Sequence, residues 1–335
     1  MGNLNDAKGK LNEILLSVHL SANGGAFPDH FREADMSPRV IHDKLKIEVG
    51  DDEYERVFTY TYDMATEIKG VLMYDQLMAN TVDVRTITWT SNADTELSPG
   101  DHEKLTGIKD VNSDADLIVH TISGNYIGVS AKYGVSKNIT LRGPGAATLE
   151  AITGAQDLNQ HWVEHIKYCQ DELGFEGTQV NMHEKFKTCK SSSNSALKNV
   201  AKKAVDSSLK ARHKIMQSIH TALLRKSSDD LKQLIFDLAS PATYHPHYRT
   251  QTRPTKTGAQ HHVHRIKEHT LKCLARYLSF DINIDFKAAT SIAIYGYRQT
   301  DGVRERVATI SVKGRSGPVK GWNGNVTAPL LSKDF

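Results

Sequence analysis

Two short apolar stretches, DLIVHTI (116–122) and YIGVSAKYG (126–134), flank the three-residue turn SGN and set the strongest limit on what this chain can fold into. Apolar runs of this length joined by a tight turn read as a β-hairpin with buried strands. In an antiparallel pair the start of one strand lies beside the end of the other. Asp116 opens the first strand and Lys132 closes the second, so the two charges share one end of the sheet, opposite the turn. A carboxylate at such a point can hold a hard divalent cation through oxygen. A lysine beside it can position or deprotonate a water.

The surroundings of the hairpin are helical. Leu4, Leu11, Ile14, Leu15 and Val18 follow helical spacing over residues 3–20, and a Gly-Gly pair ends that segment. Glu13 sits beside this apolar stripe. Strand character appears at VFTYTYD (57–63) and TVDVRTITW (81–89), with a helical stretch near 64–79. Residues 90–113 are polar and rich in turn formers, and read as a loop. After the hairpin come a short strand, NITL (138–141), and a helix from Ala146 that carries Glu150. Residues 157–237 are helical throughout, with SSSNS (191–195) as a joint. The stretch 244–265 is polar, basic and histidine-rich, and reads as a loop. FDINIDF (280–286), SIAIYGYRQ (291–299) and RVATISVKG (306–314) alternate as strands.

The net charge of +3 conceals an asymmetry. Residues 1–116 hold 11 Lys+Arg against 22 Asp+Glu, whereas the remainder holds 31 against 17. The densest region, 184–232, has 12 basic and 4 acidic residues. A basic half on a protein suggests a polyanion, and the phosphate backbone of nucleic acid is the commonest. The alternative is a solvated helix face. Nothing reads as a signal peptide, and no run approaches the roughly 20 apolar residues of a membrane span. Cys169, Cys189 and Cys273 form no CxxC pattern, which fits a reducing cytoplasm.

Ala115-Asp116 at a strand entrance and Ser130-Ala131-Lys132 at the next strand's end, set in the order helix, strand, hairpin, strand, helix, resemble the PD-(D/E)xK nuclease superfamily. The resemblance covers about residues 1–155. It implies a restriction-endonuclease-like core, a mixed sheet flanked by helices, within an α/β chain. A basic helical insertion and a C-terminal β-rich part would follow. With the composition and patterning of the rest of the chain, this divides it into a nuclease core at 1–156, a basic helical region at 157–240 and a region at 241–335 holding the His-rich loop and the C-terminal strands. Ala115 stands for the usual Pro and Ser130 for the usual acid, which leaves the site one carboxylate short. Some restriction endonucleases of this superfamily also carry Ser-x-Lys and draw the missing acid from the following helix, after an Arg. Arg142 and Glu150 fill those places here. Glu13 corresponds to the acid many members carry on the first helix.

The resemblance therefore implies a metal-dependent endodeoxyribonuclease, prokaryotic or phage-encoded and cytoplasmic, acting on double-stranded DNA as a homodimer. Asp116, Glu150 and the Ala131 carbonyl would bind Mg²⁺ or Mn²⁺, Lys132 would orient water, and Glu13 would be a further catalytic acid, either behind these ligands or on a second metal. Arg142, Lys202, Lys203, Lys210, Arg212, Arg249, Arg253, Lys256 and Arg265 are candidate DNA contacts, the last four interleaved with Tyr244 and Tyr248. Other readings stand beside this one. Asp114 could be the ligand with Asp116 its helper. A second Ser-x-Lys, Ser311-Val312-Lys313, has Asp281 and Asp285 upstream. His245, His247, His261, His262, His264 and His269 could include a zinc site, though the spacing lacks a helical i, i+4 pair and no cysteine helps. The chain could also be a non-catalytic DNA-binding protein on a decayed nuclease fold, or a protein whose lysine-rich helices meet a protein partner.

Overall fold

The computed structural model describes residues 4–21, 27–30, 37–89, 115–134, 139–140, 144–239, 246–283, 291–314 and 317–332. The chain forms two compact units, one from residues 1–136 with 240–270, the other from 137–239 with 271–334.

In the first unit, α1 (Leu4–Leu20) forms where the apolar spacing places it and buries Leu11, Ile14, Leu15 and Val18. Helix α2 (Pro38–Val49) starts at Ser37, whose hydroxyl accepts from the Val40 N–H, with proline at the first helical position. Helix α3 (Asp51–Tyr74) opens on Asp51, Asp52 and Glu53, acids favoured at the positive end of the helix dipole. The stretch 57–63, expected as a strand, lies inside α3. Tyr54, Val57, Thr61, Met64, Ile68 and Leu72 are buried at intervals of three or four. Burying that helical face outweighs the strand preference of valine, threonine and tyrosine.

These helices belong with a six-stranded mixed sheet in the order β1 (Asp29–His30), β2 (Thr86–Trp89), β3 (Leu117–His120), β4 (Tyr126–Tyr133), β6 (His247–Pro254), β7 (Ala259–Arg265). The expected hairpin is β3–β4, with Leu117 opposite Val129 and Val119 opposite Ile127. Gly124 in its turn has φ +91°, which favours glycine. Strands β1–β2 and β4–β6 are parallel pairs and the others antiparallel. Helices α1 and α3 pack on one face, and Leu117, Val119, Ile127, Val129, Ala131 and Tyr248 join them in a single core. Each fully buried large side chain contributes about 1.5–3 kcal/mol, enough to hold a hairpin whose end carries charge.

The loop expected over 244–265 is instead the β6–β7 hairpin from His247 onward; Tyr244 and His245 lie outside the described residues. Both faces of this segment carry polar side chains, so no apolar alternation marks it. Its register is set by parallel pairing with β4, Ser130 opposite Arg249 and Lys132 opposite Gln251. That pairing returns the chain after residue 246 to the first sheet.

The second unit holds α4 (Ala146–Thr153), α5 (Leu158–Asp171), α6 (Gln179–Ser191), α7 (Ser195–Leu223) and α8 (Ser228–Ala239). The joint at 191–195 is real: the Asn194 side chain caps α7 by accepting from the Ala196 N–H at 2.8 Å. Its sheet is antiparallel, in the order β5 (Ile139–Thr140), β11 (Trp322–Ala328), β10 (Arg304–Gly314), β9 (Ser291–Arg298), β8 (Tyr277–Ile282). Helices α4, α7 and α8 pack against it. Strand β11 was not expected in the glycine-rich tail. Gly324 is required there, because a Cβ would come within 2.9 Å of Leu149 and 3.0 Å of Pro144. Helix α9 (Ile266–Leu274) follows β7. The fold class is thus the expected one, a mixed sheet flanked by helices with a separate β-rich part. Among the described residues no helix is long and apolar enough to cross a membrane.

Candidate active site

Strand β3 begins one residue after Asp116, and this start places the carboxylate. The Asp116 N–H donates to the Val129 carbonyl at 2.9 Å. Its Oδ2 accepts from the Ala131 N–H at 2.7 Å, so the side chain stands in for a backbone acceptor where the ladder ends. Lys132 Nζ donates to the same Oδ2 at 3.3 Å. The Asp116 side chain is 15% exposed and the Lys132 side chain 42%, so the pair is anchored inside and open on the lysine side. The sequence-derived pair is therefore assembled.

A residue's N–H and C=O point to the same side of its strand. The Ala131 carbonyl is therefore turned towards the side on which Asp116 binds the Ala131 N–H. A carboxylate and a carbonyl oxygen are hard donors. Mg²⁺ commonly takes one or two carboxylates and completes its shell with water and substrate phosphate. The donor set fits such an ion as a partial shell.

Glu13 is buried on α1, and its Oε2 accepts from Trp89 Nε1 at 3.0 Å. Trp89 pairs with Leu117, the residue after Asp116, so Glu13 is tied to the same end of the sheet. Trp89 and Leu117 share the core. Glu13 thus reaches the sheet from the helix-covered side.

Ser130, at the acid position of the motif, is buried, and its Oγ lies 3.1 Å from His247 Nε2 on the neighbouring strand. Strand register continues this polar row: Ser130 is level with Arg249 and then His264, and Lys132 with Gln251 and then His262. His247, Arg249 and Gln251 are all buried. Sequence reasoning placed Arg249 on a surface loop, and it missed the pairing of His247 with Ser130 and of Gln251 with Lys132. The spacing of His247, Arg249 and Gln251 at every second residue was the available signal.

Glu150 lies on α4 in the second unit. Its Oε1 accepts the Leu158 N–H at 2.7 Å, at the start of α5. It therefore has a structural role, satisfying a helix N-terminus whose own cap residue, Asp157, gives no side-chain bond. Arg142 and Asp114 lie outside the described residues.

Among the DNA-contact candidates, Lys202, Lys203 and Lys210 are exposed on α7, as are Lys256 and Arg265 around β7. Arg253 is half-buried. Arg212 is half-buried too, with Nε 3.4 Å from the Ser208 carbonyl and its pKa lowered by burial. Arg265 pairs with Glu268 at 3.3 Å.

Among the described residues no group of three or more His, Cys, Asp or Glu could hold a metal. His264 of β7 stacks on His269 of α9 with ring centroids 4.0 Å apart, and lies 6.2 Å from His262 on its own strand. The second Ser-x-Lys does not assemble either. Lys313 is on β10 and Asp281 on β8, with β9 between them, and Asp281 is bound by Arg304 and Tyr297. Asp285 lies outside the described residues.

No family model matches the chain, and no curated protein is similar to it at a significant level. Among solved structures, the restriction endonuclease MspI in complex with its cognate DNA aligns over 74% of this chain and 85% of that chain, with 8% identity and a TM-score of 0.29.

Proposed function

We propose that this protein is a metal-dependent DNA endonuclease that hydrolyses phosphodiester bonds, a distant relative of the PD-(D/E)xK nucleases. The observation that carries the proposal is the Asp116–Lys132 pair, fixed at 3.3 Å where the β3–β4 ladder ends. The Asp116 carboxylate and the Ala131 carbonyl would hold Mg²⁺ or Mn²⁺, which supplies charge stabilisation at a phosphate oxygen and a more acidic bound water. Lys132 holds the attacking water or a phosphate oxygen by its ammonium protons. The Ala131 N–H keeps Asp116 in its rotamer. Glu13 supports this end of the sheet through Trp89. Arg249, buried level with Ser130, belongs with the site and not with an outer phosphate contact. Lys202, Lys203, Lys210, Lys256 and Arg265 supply exposed positive charge for the duplex backbone. A homodimer would serve cleavage of both strands. The buried thiols Cys169, Cys189 and Cys273 suit a reducing cytoplasm.

A second reading has support from Ser130. With a hydroxyl in the acid position, bonded to His247, the fold would serve a DNA-binding protein that does not cut. Incubating supercoiled plasmid with the protein in EDTA, Mg²⁺ and Mn²⁺ separates the two. The endonuclease reading expects nicking in both metals, none in EDTA, and loss in Lys132→Ala. Binding of duplex without nicking in any metal would move the account to the second reading.

A further inference from the structure

The antiparallel sheet of the second unit is two-sided. Ile292, Ile294, Ile310, Val312, Val326 and Ala328 are buried and face the helices. Their alternating neighbours point the other way and stay partly or fully exposed. Strand register orders this open face. Asn323 is level with Lys313, Asn325 with Ser311, and Thr327 with Thr309. Arg306 is level with Tyr295 and then Asp281, and Arg304 with Tyr297.

One residue on this face is held in a fixed posture. The Arg304 guanidinium lies 3.7 Å over the Tyr295 ring. Its Nε and Nη2 both bind the Asp281 carboxylate, Nη2 at 3.0 Å, and Asp281 is itself steadied by the Tyr297 hydroxyl at 2.8 Å. The side chain remains 40% exposed. The result is a flat cation with one side on a tyrosine and the other turned away from it. Arg306 and Lys313 are exposed on the same face, so three cations stand there with Asp281 the acid among the described residues.

The geometry points to this face as a binding surface for a single-stranded polynucleotide. Three chemistries meet on it. Arg306 and Lys313 are placed for phosphates. The Arg304 plane suits stacking by an unpaired base. Asn323 and Asn325 offer amide donors and acceptors to base edges. Duplex readout fits poorly. From β8 to β11 the face spans three strand spacings, about 14 Å, wider than a major groove of roughly 12 Å. An acidic peptide would satisfy the cations but leave the stacking plane and the amides without a counterpart. This surface goes beyond the endonuclease reading and does not depend on it.

The test is anisotropy of a labelled mixed-sequence oligonucleotide in EDTA, single-stranded and annealed to its complement, over a salt series. The wild type is expected to bind the single strand with affinity falling as salt rises. Arg304→Lys keeps the charge but removes the plane, and is expected to weaken single-strand binding about tenfold. The double variant Arg306→Ala/Lys313→Ala is expected to reduce the salt slope by about 1.4, at roughly 0.7 per phosphate on a single strand. Both changes lie on exposed positions, so circular dichroism is expected to match the wild type. Single-strand binding that all of these substitutions leave unaltered overturns the inference, as does a wild type that binds the duplex alone. Plasmid nicking is read separately, and its absence would bear on the endonuclease proposal only.

Discussion

Ser130 Oγ lies 3.1 Å from His247 Nε2, across a parallel strand pair that joins residues more than a hundred positions apart. The Ser130 hydroxyl, at the position where the proposed nuclease motif would carry an acid, is thus engaged by an imidazole, and both groups are buried. Ser130→Ala removes one side of that bond and is expected to cost about 1 kcal/mol. Urea melts measure it. Cleavage by this variant is expected to stay within a few-fold of the wild type, because Asp116 and Lys132 keep their contact.

Trp89 and Glu13 make a second separable pair. Trp89→Phe removes an N–H donor from a buried carboxylate and is expected to destabilise by about 1.5–3 kcal/mol, the range for bonds to charged groups. Glu13→Gln keeps an acceptor for the indole, so its stability is expected to remain nearer the wild type. If Glu13 supports the site by its charge, nicking falls in Glu13→Gln despite that retained fold. Thermal melts and nicking rates on the two variants distinguish the roles.

Glu150 caps α5 through the Leu158 N–H. Glu150→Ala is expected to lower stability by about 1 kcal/mol, the usual worth of a helix cap. Glu150→Gln retains the carbonyl acceptor and is expected to lose less. Equal melting of all three proteins would remove the capping role.

His19 supplies a pH dependence. Burial, and next the charge of Lys69, lower its pKa from 6.5 to about 4 in the folded protein. Its ring sits edge-on to Phe58 at 4.6 Å, and Lys69 Nζ binds its backbone carbonyl at 2.9 Å. The folded state therefore favours neutral imidazole, while the unfolded chain takes up the proton more readily. The contribution is full above pH 6.5 and is lost as the pH falls towards 4. Urea midpoints are expected to drop across that window, and to drop less steeply in His19→Leu.

The exposed lysines of α7 give a salt-dependent prediction. If Lys203 and Lys210 touch duplex phosphates, each alanine substitution reduces the slope of log affinity against log salt by about 0.9. A slope equal to that of the wild type would mean that these lysines only solvate the helix.

The parts of this fold that could be read from the sequence are those with one dominant period. Helix α1 shows its stripe of Leu11, Ile14, Leu15 and Val18, and the β3–β4 hairpin shows two apolar runs about a turn. Asp116 and Lys132 were legible because hairpin geometry alone brings strand ends together. Helix α3 was obscured at 57–63 by valine, threonine and tyrosine, whose strand preference yielded to burial of a helical face. Strand β6 was obscured because its neighbour, β4, lies far away in sequence and both of its faces are polar. The alternation of His247, Arg249 and Gln251 marks a strand, but only the long-range pairing with β4 sets them beside Ser130 and Lys132. Glu13 was visible as a helix acid, but its indole partner arrives from a strand 76 residues on.

In the proposed reaction Asp116 and Lys132 act on a phosphodiester together. The most direct measurement is the nicking rate of supercoiled plasmid in Mg²⁺ by wild type and Asp116→Asn, with duplex affinity measured on the same preparations. Asn keeps the shape and an acceptor for the Ala131 N–H but loses the charge. Nicking is expected to fall by at least about a hundredfold, the scale on which positioned catalytic groups act, with duplex affinity nearly unchanged. Wild-type nicking in Asp116→Asn would contradict the proposed reaction.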